Sequence, residues 1–87
     1  MKPFYITISK YPELGYGACD PTDFDGACDQ LAEFRRDYPD WECRVFRCEP
    51  GISYMEDVTA DACQRIVNRL TQRGYDFPQW LIDEVAA

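Results

Sequence analysis

Hydrophobic and polar positions alternate at the start of the chain. In Phe4-Tyr5-Ile6-Thr7-Ile8-Ser9, Phe4, Ile6 and Ile8 share one side and Tyr5, Thr7 and Ser9 the other. Period two in β-branched and aromatic residues predicts a strand, with the aliphatic side expected to be buried. Residues 10–21 hold two prolines and two glycines and read as a long loop. The period then changes. Phe24, Ala27, Cys28, Leu31, Phe34 and Tyr38 recur at three- and four-residue spacing, which predicts an amphipathic helix over 22–38 with Thr22 as N-cap. Tyr38-Pro39-Asp40 ends it.

The second half repeats the change of period. Residues 41–48 predict a second strand, with Trp41, Cys43 and Val45 on one face and Arg44, Phe46 and Cys48 on the other. Pro50-Gly51 fits the centre of a type II turn, and residues 52–55 predict a short third strand returning as a hairpin. Thr59 is expected to cap a helix over 60–73 whose buried stripe is Cys63, Ile66, Val67 and Leu70, with Gly74 as its stop. Pro78 opens a last short helix through Trp80, Leu81 and Val85. The order β-α-β-(β)-α-α predicts an α+β fold. It would be a small single-domain sandwich over residues 1–87, its helices covering one face of a two- or three-stranded sheet. No internal repeat or linker is visible.

Charge narrows the partners. Sixteen acids against nine bases, with no histidine, give a formal net charge of −7. Such a chain is repelled by nucleic acid and anionic membranes, so neither is expected as a direct ligand, and the expected partner is a protein with a basic surface. The acidity concentrates on the first helix. Asp25, Asp29, Glu33 and Asp37 are four residues apart and almost opposite the apolar stripe, an arrangement that costs roughly a few tenths of a kcal/mol per like-charged pair. Asp23 and Asp25 suit the helix N-terminus, as Arg35 and Arg36 suit the other end, but Asp29 and Glu33 are not explained that way and Asp37 sits at the unfavourable end. At about 6 Å of rise per step, the four carboxylates resemble phosphates along a nucleic-acid strand. Asp20, Asp23, Tyr11 and Tyr16 would form the rim of this partner-binding surface. The plainer alternative is a solvated helix face. Arg65, Arg69 and Arg73 line the second long helix, where Asp61 is the expected partner of Arg65 and Arg73 suits the C-terminal dipole.

Catalytic chemistry finds little support. Histidine is absent, and Gly15 and Gly17 give G-x-G without a third glycine at the required spacing. The five cysteines include no C-x-x-C pair, so neither a zinc ribbon nor a redox motif is written. Cys28 and Cys63 fall on apolar helix faces, Cys43 and Cys48 point to opposite sides of a strand, and Cys19 is the one thiol in a loop. An odd count without an export signal predicts free thiols in a cytoplasmic protein. No catalytic, cofactor or metal site is expected, and the protein reads as non-enzymatic.

A compact, acidic, cysteine-containing, histidine-free single domain resembles the small inhibitor proteins of phages and mobile elements, anti-CRISPR proteins among them. The resemblance covers size, charge and α+β architecture, with no shared motif. It implies a protein that blocks a nucleic-acid-binding complex by occupying its basic surface. A second reading comes from the residues themselves: a structural or regulatory subunit, or a homodimer, that packs Trp41, Phe46, Tyr54 and Trp80 against its partner.

Overall fold

The computed structural model describes residues 2–86. Along the chain lie β1 (Phe4–Tyr11), β2 (Gly15–Ala18), α1 (Phe24–Asp37), β3 (Glu42–Cys48), β4 (Met55–Asp57), α2 (Thr59–Arg73) and α3 (Gln79–Ala86). The fold is α+β, and the expected element order holds with one strand added. All strand pairs are antiparallel and the sheet order is β2-β1-β3-β4. Two successive strand-strand-helix units therefore sit side by side, joined through their first strands at the sheet centre. The architecture repeats where the sequence does not.

The added strand lies in the stretch expected to be a loop. Residues Ile8 to Tyr11 pair with Ala18 to Gly15, closing a hairpin. The G-x-G pair belongs to this hairpin: the Tyr11 ring lies against Gly17, where any Cβ would collide with it. The strand expected over 52–55 forms instead over Met55–Asp57. The turn before it is as expected, with Ile52 N–H donating to the Glu49 carbonyl at 3.1 Å around Pro50-Gly51.

Both predicted N-caps move. Asp23, not Thr22, caps α1, its carboxylate accepting from the Gly26 N–H at 2.7 Å. Thr22 is already committed to a two-way backbone bridge with Tyr5. Thr59 is the first residue of α2 rather than its cap. Its hydroxyl donates to Asp57 Oδ1 at 2.7 Å and accepts from the Val45 N–H at 2.9 Å, which ties α2 to β3. Asp57 Oδ1 also accepts from the Thr59 N–H at 2.9 Å. Burial pushes the Asp57 carboxyl up, but the bonds from Thr59 and Arg44 outweigh it and hold the group below the usual carboxylate range. Gly74 ends α2 in the left-handed conformation, as its position predicts.

The helices cover one face of the sheet. Ala27, Cys28, Leu31, Ala62, Cys63, Ile66 and Leu81 pack over Cys43 and Val45. The contribution of β1 reverses the expectation. Thr7 and Ser9 are buried beneath the helices, while Phe4, Ile6 and Ile8 point to the opposite face. Register explains the choice. Thr7 pairs with Val45 and Ser9 with Cys43, so the side taken by the β3 core residues is imposed on the β1 hydroxyls. The hydroxyls find partners there. Thr7 Oγ1 donates to Gln30 Oε1 at 2.8 Å, and Ser9 Oγ lies 3.4 Å from Cys43 Sγ.

Candidate functional site

The reversal of β1 leaves an apolar layer on the uncovered face of the sheet. Across the strands, Ile6 pairs with Phe46 and Phe46 with Asp57; Ile8 pairs with Arg44 and Ala18; Lys10 pairs with Glu42 and Tyr16. Phe4 pairs with Cys48, which in turn pairs with Met55. Directly paired residues share a face, so these rungs define one surface. Phe4, Ile6, Ile8 and Phe46 remain partly exposed, and none belongs to the core beneath the helices. Tyr16, at the hairpin edge, is 72% exposed. A shallow depression of about 490 Å³ is lined by Ile8, Lys10, Tyr16, Glu42, Arg44 and Phe46.

Charge on this face cancels. Lys10 and Arg44 stand with Glu42 and Asp57, and Arg44 pairs with Asp57 at 2.9 Å. Lys10 Nζ lies 6.0 Å from the centre of the Tyr16 ring. A patch of no net charge, with an aliphatic and aromatic centre, is thus set into a chain of net charge −7.

The acidic stripe of α1 has a different geometry from the one its spacing implies. Arg69 of α2 donates to Asp25 at 2.9 Å and to Asp29 at 2.7 Å, and Arg65 lies 3.2 Å from Asp25. Two members of the arginine line thus pair with two members of the carboxylate stripe across the helix interface. Arg65 pairs with Asp25 rather than with Asp61. Burial works against the Arg69 charge, but the hydrogen bonds to Asp29 and Asp25 raise its pKa above the ordinary value. Asp37 is paired with Arg36 at 2.9 Å. Glu33 is the member of the stripe without a cationic partner among the described residues.

The remaining predicted residues do not converge. Asp23 serves as the α1 cap, and Asp20 is exposed in the segment before it. Tyr11 is held inward, edge-on to Trp41 with ring centres 4.5 Å apart, and Tyr38 stacks on Trp41 at 3.9 Å. Tyr16 instead joins the open sheet face. Of the aromatic set proposed for a subunit contact, Trp41 and Trp80 pack against the core, whereas Tyr54 is 69% exposed and Phe46 lies on the open face. Between the helices, a groove of about 650 Å³ runs past Ala32, Glu33, Leu70 and Trp80. Sequence reasoning missed Ile6 and Ile8 as surface residues. The available signal was Phe46, which shares a strand face with Arg44 and so pointed to a second apolar side.

Four of the five thiols lie in the interior. Cys28, Cys43, Cys48 and Cys63 are buried, and all five cysteines are free. Burial, only partly offset by Arg69, pushes the Cys28 thiol up to about 11. Cys19 is also raised, first by burial and then by Cys43 and Asp20, the opposite of an activated nucleophile. Among the described residues, no three or more Cys, Asp or Glu side chains gather where they could hold a metal ion. No helix among them is long and apolar enough to cross a membrane. Comparison with family models, curated proteins and solved structures returns no match to this chain.

Proposed function

We propose that this is a non-catalytic binding protein that takes a protein partner against the open face of its sheet. The observation carrying this reading is the polarity of β1, which buries Thr7 and Ser9 and presents Ile6 and Ile8 outward. An antiparallel sheet with helices on one side ordinarily turns polar residues to water on the other. Leaving an isoleucine half-buried forgoes part of the roughly 1.5–3 kcal/mol that full burial supplies. Departures of this kind from folding logic concentrate at functional surfaces. The five free cysteines support a reducing, cytoplasmic setting.

Affinity capture from cell lysate tests the reading with three baits: the native chain, the double variant Ile8→Glu/Phe46→Glu, and the double variant Asp29→Lys/Glu33→Lys. Circular dichroism establishes that each bait is folded. The sheet variant is expected to lose the bound protein and the helix variant to keep it. Retention by a folded sheet variant would overturn the proposal.

A second reading is favoured by the charge distribution. Ion pairs engage Asp25, Asp29, Asp37, Glu49 and Asp57, while the other carboxylates, Glu33 among them, have no cationic partner among the described residues. This supports the acidic inhibitor, anti-CRISPR-like in action, that covers the basic surface of a nucleic-acid-binding complex. Its signature in the same experiment is a salt-sensitive partner lost with the helix variant and retained by the sheet variant.

A further inference from the structure

We infer that the occupant of the open sheet face is a second copy of this chain, the two sheets stacking face to face. The inference rests on the reading of that face as a binding surface and names its partner. Three observations converge on it.

The first is charge. Two chains of net charge −7 repel each other over most approaches, and the repulsion is least where the contact surface carries no net charge. On the open face, Lys10 and Arg44 balance Glu42 and Asp57. A basic protein gains no net attraction from that patch. A nucleic acid gains little, because Arg44 is already paired with Asp57.

The second is area. Four strands spaced at about 4.8 Å, the longer ones rising about 3.3 Å per residue, give a face of roughly 400 Å² in plan. Two such faces stacked bury on the order of 1,000 Å² in total, the size of weak, transient contacts. A pair of this size is expected to be weak and reversible.

The third is layout. Ile6, Ile8 and Phe46 occupy the two central strands, with Phe4 beside them; Lys10 and Glu42 lie at one end, Asp57 on the β4 edge, and Arg44, the cross-strand partner of Ile8, is drawn to Asp57. An apolar centre with a polar rim is the anatomy of a protein contact, and two sheets stacked face to face interdigitate at about 10 Å separation.

Sedimentation velocity from about 1 to 500 μM distinguishes the outcomes. The native chain is expected to pass from monomer to dimer in this range, with no weakening at high salt. Phe46→Glu should weaken the association by roughly 100-fold, as expected for a charge placed in an apolar contact. Tyr16→Glu, at a rim position that is 72% exposed, should weaken it by about 10-fold. Asp29→Lys/Glu33→Lys should not weaken it. A native chain that stays monomeric throughout, or a dimer unaffected by both sheet-face variants, overturns the inference. Failure of the binding-surface reading is separable: a monomeric chain whose captured partner is lost with Ile8→Glu/Phe46→Glu contradicts only the second copy. A monomeric chain whose capture ignores that variant contradicts both.

Discussion

Arg69 shows how far a residue's role depends on what the fold brings to it. Its guanidinium spans Asp25 and Asp29, two carboxylates one helical turn apart that would otherwise repel. The side chain is 27% exposed, so the pairing is partly sheltered but still screened by salt. Arg69→Ala is expected to lower stability by about 1 kcal/mol in urea titrations at low salt, with a smaller loss at high salt. An unchanged midpoint would mean that the helix interface holds without the clamp. Asp57 gives a pH-dependent counterpart. Its folded pKa lies below the unfolded value, so its contribution is present above about pH 4 and fades as pH falls through the lowered value. Asp57→Ala is therefore expected to cost about 1 kcal/mol at neutral pH, with the gap to the native chain narrowing below about pH 4. A gap that widened in acid would contradict the assignment.

Periodicity carried most of the elements. The helices announce themselves through Phe24-Cys28-Leu31 and Cys63-Ile66-Leu70, and β1 and β3 through alternation. Three features lay beyond it. The strand Gly15–Ala18 has two glycines in four residues and looks like loop, because its place depends on Tyr11 folding over Gly17 rather than on its own propensity. The direction of β1 was hidden because alternation defines two faces and only pairing with Cys43 and Val45 says which one the helices cover. The pairing of Asp25 and Asp29 with Arg69 joins residues some forty positions apart, so no local pattern reports it. The hairpin can be tested as an element. Gly17→Val should drive the Tyr11 ring away from Trp41 and cost about 1–3 kcal/mol, with a loss of near-ultraviolet aromatic dichroism. A native aromatic spectrum in that variant would show that the ring contact is not what seats β2.

At the scale of the molecule, one sheet separates two unlike surfaces. On one side three helices seal a small core and neutralise much of the α1 stripe against α2. On the other, an aliphatic and aromatic layer whose flanking charges balance faces outward from an acidic protein. Folding alone accounts for the first side and not for the second, and the account turns on that difference. The most direct measurement follows the amide proton and nitrogen shifts of the native chain as its concentration is raised from about 20 μM to 1 mM. Movement is expected at Ile6, Ile8, Arg44 and Phe46 and their strand neighbours, while Asp29 and Glu33 on α1 hold still. Shifts confined to α1, or a sheet face that is unmoved throughout, would contradict the account.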